Sequence, residues 1–160
     1  MRIKNQLCLV ALICMIALSG CATEIKPDSP DSGTYSTQTS MSSLEYATYM
    51  SKQISVFSNQ LSTMMLAAFN STEAAYENDV ALAEESRDIM QETLDEVIVT
   101  MPSNGKESDR ETAITAMQTA IDHMEDYITK LRNGENVSDY ADIFQNDFNS
   151  VTGLANLYNE

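Results

Sequence analysis

Four segments beyond residue 40 carry apolar residues that recur at alternating steps of three and four along the chain. That spacing places the apolar side chains on one face of an α-helix, whereas a half-buried strand would show a period of two. Pro102, Gly105 and Gly134 fall between the segments, where they end helices. The pattern therefore predicts four amphipathic helices, at about residues 42–69, 72–101, 109–132 and 137–158.

The predicted helices are joined by short loops, and such helices bury their apolar faces most economically as a bundle with antiparallel neighbours. Capping boxes at residues 42–45 and 108–111 support the starts of the first and third helices, and Asn136 is expected to cap the fourth. The sequence thus predicts an all-α fold, an antiparallel four-helix bundle over residues 41–160. Two alternatives are that the first two helices join into one element, or that the fourth packs on another molecule.

The start of the chain has the layout of a bacterial secretory signal. Arg2 and Lys4 form a small positive region, and the apolar run at residues 7–18 is twelve residues long. A helix needs about 20 residues to span a bilayer, so this run fits the core of a signal peptide better than a membrane span. It ends in the tetrapeptide Leu-Ser-Gly-Cys at residues 18–21, which resembles the lipobox of bacterial lipoproteins.

The resemblance to the lipoproteins implies that the sulfur of Cys21 receives a diacylglyceryl group and that a peptidase then cuts between Gly20 and Cys21. Residues 1–20 would be the removed signal peptide. Residues 21–40, rich in Ser, Thr, Asp, Pro and Gly, would form the lipidated cysteine and a flexible tether. The membrane is then an expected partner through the lipid anchor, and the expected location is the outer face of the bacterial cytoplasmic membrane. The alternative is an ordinary signal peptide, or an uncleaved anchor, with a chance cysteine.

Beyond the tether, the chain is similar in general plan to the small all-helical lipoproteins of Gram-positive bacteria. The shared features are a tether, two helices, a proline-containing loop, a helix that ends in Leu-Arg-Asn-Gly, and a last helix. These features imply an architecture, and they bring no catalytic residues and no activity with them.

The charge of the chain argues against one class of partner. The formal net charge is −15, and all 24 acidic residues follow Cys21. Removal of residues 1–20 takes away Arg2 and Lys4, which leaves 7 basic residues and a net charge of −17. Such a surface repels phosphate backbones, so we expect no binding of nucleic acid. The cleaved chain would also keep a single cysteine, so its stability must come from a packed core and not from an internal disulfide.

The sequence lacks the residue sets that the common kinds of catalysis need. It has no Gly-rich phosphate loop, no Cys-x-x-Cys, no Gly-x-Ser-x-Gly and a single histidine, His123. One histidine excludes a multi-histidine zinc or haem site, and Ala120 occupies the place where di-iron bundles carry the Glu of Glu-x-x-His. We therefore expect no metal, no cofactor and no enzymatic activity. We interpret His123 as a surface residue among acidic neighbours.

Arg87 is the one charged residue on the apolar stripe of the second predicted helix. Because an unpaired buried charge is costly, the sequence predicts that Arg87 either extends its charged end to solvent or meets a carboxylate as a polar residue of the core. Depth along the bundle nominates Asp147 or the neighbourhood of Thr152 as its neighbours.

The loops at residues 70–72 and 133–136 lie together at the end of an antiparallel bundle that faces away from the tether. Four aromatic residues lie within about a turn of these loops: Phe69, Tyr76, Tyr127 and Tyr140. Aromatic residues at an outward end suit a contact surface, and these four are the candidates for one. The alternative is that they close the end of the core.

The leading hypothesis is a non-enzymatic interaction module, tethered to the membrane, with an unidentified protein partner in the cell envelope. The alternative is a sensor or carrier that binds a small apolar or cationic ligand between the helices. Methionine-rich interiors adapt to apolar guests. A cavity for such a ligand would be lined by Met64, Met90, Met117 or Met124.

Overall fold

The computed structural model describes residues 41–72 and 75–159. The elements in chain order are α1 (Ser43–Asn70), α2 (Tyr76–Val99), α3 (Glu107–Asn133), α4 (Tyr140–Gly153) and a short 3-10 helix (Leu154–Leu157). Within the described ranges the chain forms no strand. The predicted signal peptide, the lipidation and cleavage site at Gly20 and Cys21, and the tether fall outside the described residues.

The helix ends follow the local chemistry at some of the predicted places and not at others. The Ser42 side chain accepts a hydrogen bond from the backbone of Glu45, and the Glu45 carboxylate accepts one from the backbone of Ser42, so this predicted capping box is present. Gly134 ends α3 with a left-handed backbone at φ 67°. The predicted box at residues 108–111 is not the start of α3, because that helix already begins at Glu107.

The predicted cap at Asn136 is also wrong in its detail. Its side-chain oxygen accepts a hydrogen bond from the backbone of Ser138 at 2.8 Å, which forms a turn ahead of α4. The helix itself begins later, at Tyr140, after Asp139, whose side chain makes no capping hydrogen bond. The last turn of the predicted fourth helix is the separate 3-10 helix.

Each helix packs on its neighbours in the sequence, and α4 closes the bundle against α1. Hydrogen bonds at opposite ends of the α1–α2 pair show that these helices are antiparallel. Thr100 donates to the Tyr49 hydroxyl at 3.0 Å at one end, and Ser71 donates to Asp79 at 2.5 Å at the other. The prediction of an all-α, antiparallel four-helix bundle is confirmed, with α1 and α2 as separate helices and α4 inside the same bundle.

The core is a single cluster drawn from all four helices, and most of it comes from the predicted stripes. Its largest fully buried side chains include Phe57, Leu61, Leu94, Ile121 and Phe144. Two small polar residues, Ser86 and Thr93, fill inward positions of α2 that its predicted stripe did not include. No helix within the described ranges combines the length and the apolar character that crossing a membrane requires.

The two ends of the bundle differ in what they expose, and we name them by the path of the chain. At the entry end, α1 begins at Ser43 and α2 ends at Val99. At the tip, α1 ends at Asn70 and α2 begins at Tyr76. The described chain reaches α1 through Met41 at the entry end.

Candidate functional site

Two of the four aromatic residues predicted for a contact surface are buried at the tip. Tyr127 and Tyr140 are almost inaccessible to solvent, and their ring centroids lie 5.1 Å apart. The ring of Phe144 packs edge-on against Tyr127 at 5.2 Å. The contact prediction is therefore wrong for Tyr127 and Tyr140, which close the end of the core because both lie on the inward faces of their helices.

The other two aromatic residues at the tip are accessible. Phe69, in the last turn of α1, is 79% exposed, and Leu66 beside it on the same helix is also exposed. Tyr76, the first residue of α2, is half-buried against the core. We call Leu66 and Phe69 the tip patch, because these two apolar side chains meet solvent where α1 ends.

A shallow groove of about 290 Å³ lies between the start of α2 and the end of α3. Tyr76, Val80 and Leu131 give it apolar surface, and Glu77 and Arg132 add charge. Arg132 is held by an ion pair with Glu84, one turn further along α2. This arrangement can receive an apolar side chain next to a charged group.

The start of α4 is held on the end of α3 by a polar cluster of three residues. The Tyr140 hydroxyl donates to the carboxylate of Asp126, and the Lys130 ammonium lies 3.0 Å from that hydroxyl and 3.1 Å from the carboxylate. The hydrogen bond from Tyr140, followed by the one from Lys130, lowers the pKa of Asp126. Burial, followed by the bond to Asp126, raises the pKa of Tyr140. The cluster positions helices, and its members satisfy one another.

His123 is bound to Asp147, which the sequence nominated as a neighbour of Arg87 and not of His123. Its Nδ1 lies 2.9 Å from Oδ2 of Asp147 on α4, while 42% of the histidine side chain stays exposed. Burial raises the pKa of Asp147, and its hydrogen bond with His123 opposes that shift. A signal was present in the sequence, because Asp147 lies three residues after Phe144 and four before Val151, both on the buried face of α4.

Arg87 does not lie in the core. Of the two alternatives that the sequence left open, the structure shows the first, in which the charged end of the arm extends towards solvent. Its side chain is 31% exposed, with Nε 2.7 Å from Asp88 and a terminal nitrogen 3.7 Å from Glu125 on α3. Asp147 and Thr152 belong to α4, whereas α2 packs mainly against α1 and α3. The inward position that the stripe assigned to Arg87 is taken by its neighbour Ser86.

The four methionines expected around a ligand cavity are completely buried in the hydrophobic core: Met64, Met90, Met117 and Met124. The surface grooves that the structure shows have other linings, such as the acidic outer face of α2 around Asp95 and Val99. Over residues 41–72 and 75–159, no group of three or more His, Cys, Asp or Glu side chains is placed to hold a metal ion.

Comparison of the chain with protein-family models, with curated proteins and with solved structures gives no match in any of the three. The candidate site is therefore defined by the bundle's own geometry. Its most distinctive features are the tip patch and the groove beside Tyr76.

Proposed function

We propose that this chain is a lipid-anchored protein of the bacterial cell envelope and that its bundle is a non-enzymatic interaction module. The lipobox at residues 18–21 supports an anchor at Cys21 on the outer face of the cytoplasmic membrane. The tip of the bundle contacts a protein partner in the envelope. Before residue 41, a short apolar run is followed by a stretch rich in Ser, Thr, Asp, Pro and Gly. This order is typical of lipid-anchored envelope proteins.

The observation that carries the contact proposal is the exposure of Phe69. Tyr127 and Tyr140 are buried at the same end, whereas the Phe69 side chain, next to the buried Ala68 on α1, meets water. Aromatic side chains supply much of the binding energy of protein interfaces because each removes a large apolar area from water. Leu66 extends the same patch, and the groove at Tyr76 offers a partner a recess.

The direction of the chain supports the same assignment. The tether joins the bundle at Met41, and α1 then runs 28 residues, or about 42 Å, to the tip. The tip is therefore the end of the bundle opposite the one at which the proposed anchor is attached. We therefore place the binding site for a protein partner in the envelope at the tip.

Site-specific photo-crosslinking in living cells tests the contact. A benzophenone amino acid at Phe69 should give an adduct with one protein partner, whereas the same probe at Glu85, an exposed residue on the side of α2, should not. Equal adducts at both positions, or none at Phe69, would contradict a partner at the tip.

A Cys21→Ser variant tests the anchor separately. It should accumulate uncleaved or be released from the membrane fraction, and it should lose the incorporation of labelled fatty acid that the parent shows. A variant that keeps both the label and the membrane attachment would contradict lipidation at Cys21.

A further inference from the structure

The exposed apolar side chains of the bundle are concentrated at the entry end. Eight large apolar side chains are exposed in the described ranges, and five of them lie within two residues of the start of α1 or of the end of α2. We call these five the entry patch: Met41, Leu44, Ile98, Val99 and Met101. Single exposed apolar residues are normal on a protein surface, but a group of them at one end of a domain marks a contact surface.

Hydrogen bonds hold the two parts of the entry patch at the same end of the bundle. Thr100, which lies between Val99 and Met101, bonds to the hydroxyl of Tyr49 on α1 at 3.0 Å. The Arg110 guanidinium, from the first turn of α3, donates to the carbonyl oxygens of Val97, at 3.0 Å, and Ile98. The end of α2 is therefore fixed beside the start of α1.

The outermost members of the patch face away from the core. Leu44 precedes the buried Tyr46 by two residues, and Val99 follows the buried Val97 by two. Two residues correspond to about 200° of helix rotation, so each side chain lies on the opposite side of its helix from a core residue. Their exposure therefore follows from the positions that they occupy on α1 and α2.

We propose that the entry patch inserts into the surface of the membrane to which Cys21 is anchored, so that the entry end of the bundle contacts the lipid. The proposal rests on the lipid anchor proposed above. Twenty residues, 21–40, connect the proposed anchor to Met41, and even a fully extended chain of that length spans no more than about 70 Å. The acyl chains therefore keep the patch within reach of the bilayer. Tethering raises the effective concentration of the patch at the surface, so a contact too weak to bind a free domain suffices.

The charge around the patch specifies the kind of lipid contact. Glu45 and Glu96 are exposed next to it, and the whole domain is strongly acidic. Attraction to anionic headgroups cannot drive the contact, so burial of apolar side chains at the boundary between headgroups and acyl chains must drive it. Zwitterionic vesicles should then support the contact at least as well as anionic ones, and added salt should not weaken it.

The chain contains no tryptophan, which allows a single reporter to be placed at either end of the bundle. Val99→Trp places it in the entry patch and Phe69→Trp in the tip patch, and the parent side chains are similarly exposed, at 74% and 79%. The full-length lipidated protein is reconstituted into phosphatidylcholine vesicles, with or without brominated acyl chains. Fluorescence is compared between the two variants.

We expect Val99→Trp to be quenched at least twofold by the brominated lipid and to emit at shorter wavelength in vesicles than in detergent, while Phe69→Trp changes in neither respect. Leu44→Trp should repeat the result for Val99→Trp, and circular dichroism should show unchanged helix content in all three variants. Equal quenching at both ends, or none at the entry end, would overturn the proposal. A blue shift without quenching would mean that another part of the chain or a second copy covers the patch, which also overturns it.

Flotation of the same samples tests the lipid anchor separately from the contact between the entry patch and the membrane. Protein that floats with the vesicles without quenching at Val99 retains the anchor and refutes the membrane contact. Protein that does not float refutes both.

Discussion

His123 on α3 lies 2.9 Å from Asp147 on α4, through Nδ1 and Oδ2, and so joins the same two helices that the polar cluster around Tyr140 links nearer the tip. The histidine is the only one in the chain. The carboxylate is 9% exposed and the imidazole 42%, so the pair lies at the edge of the core with its acidic member inside.

Replacement of His123 by Ala should destabilise the bundle at neutral pH. Without the imidazole, the Asp147 carboxylate stays buried and loses its hydrogen-bond partner. We expect this to lower the free energy of unfolding by about 1–2 kcal/mol, and not more, because water can reach the carboxylate from the open side of the pair. Urea unfolding followed by circular dichroism measures the loss. Asp147→Asn in the His123→Ala background should recover part of it, because the amide is neutral.

The pH dependence of this loss follows from the buried carboxyl. Burial raises the pKa of Asp147 above the value of 3.8 expected without the fold, so the folded state favours the protonated form. Protonated Asp147 therefore contributes its full stabilisation of the fold below pH 3.8, and this contribution is lost as the pH rises through the raised pKa. The deficit of His123→Ala should therefore shrink as the pH falls from 7 towards 4. An equal deficit at both pH values would contradict a buried, partner-dependent carboxylate.

Arg87→Met should change the free energy of unfolding by less than about 1 kcal/mol. The guanidinium is at the surface, where its pairs with Asp88 and Glu125 contribute little. Arg110→Met is the matched control, because Arg110 holds the last carbonyls of α2 and should cost about 1.5–3 kcal/mol. Urea midpoints of the two variants compare them directly. A loss at Arg87 as large as that at Arg110 would show that the Arg87 arm is paired inside.

The contrast between Ser86 and Arg87 shows what the sequence could and could not predict. A stripe with a step of three or four fixes a helix and its approximate face, which is why four helices, their order and their antiparallel packing were predictable. Neighbouring residues differ by about 100° around the helix, so a stripe cannot decide which of two adjacent residues at its border is inside. Close approach of helices decides it, and the small Ser86 fits where Arg87 does not.

At the two ends and in the middle of the bundle, too, the sequence pattern could not decide which side chains are buried and which of them meet. Tyr140 and Phe69 both lie near the tip loops, but one side chain is buried and the other exposed because α4 starts with Tyr140 facing inward. The bond from His123 to Asp147 joins residues 24 apart in the chain and depends on the packing depth of α3 against α4. Four members of the entry patch are not part of the predicted stripes, so the periodic pattern did not indicate them. Met101 lies on the predicted stripe of the second helix, but α2 ends at Val99 and leaves Met101 exposed.

Removal of a tyrosine hydroxyl should have different effects on the free energy of unfolding at the two ends of the bundle. Tyr46 is buried with a hydroxyl that has no hydrogen-bond partner among the described residues, and burial raises its pKa to about 12. Tyr46→Phe should leave stability unchanged or raise it by up to about 1 kcal/mol, because an unpaired buried hydroxyl is costly. Tyr140→Phe should lower it by about 1 kcal/mol, because its hydroxyl bonds to Asp126 and Lys130.

Thermal and urea unfolding of the two variants measure this difference while the ring packing is kept. The Tyr46 ring retains its stack on Tyr49, at 6.3 Å between centroids, in the phenylalanine variant. A clear loss of stability in Tyr46→Phe would mean that its hydroxyl is paired, and would contradict the expectation.

Gly134, which caps α3, and Gly153, the last residue of α4, offer a last matched pair. Gly134 has φ 67°, a left-handed backbone that an L side chain resists, although a Cβ there would meet no atom within 4 Å. Gly134→Ala should therefore cost about 1 kcal/mol through backbone strain alone, and Gly134→Asn should cost less. Gly153 has φ −60°, inside the right-handed range, and a Cβ there also meets nothing within 4 Å. Gly153→Ala should therefore stabilise the bundle by about 0.8–1 kcal/mol through helix propensity.

The sign of the difference between these two alanine variants is the test, because both add the same methyl group to open space. Urea unfolding should place the midpoint of Gly153→Ala above that of the parent and the midpoint of Gly134→Ala below it. The double variant should fall near the parent, since the two glycines end different helices and a Cβ at either of them meets no atom within 4 Å. Equal shifts of the two single variants would mean that the turn after α3 does not need its left-handed residue, and that α3 and α4 can be joined by another backbone path.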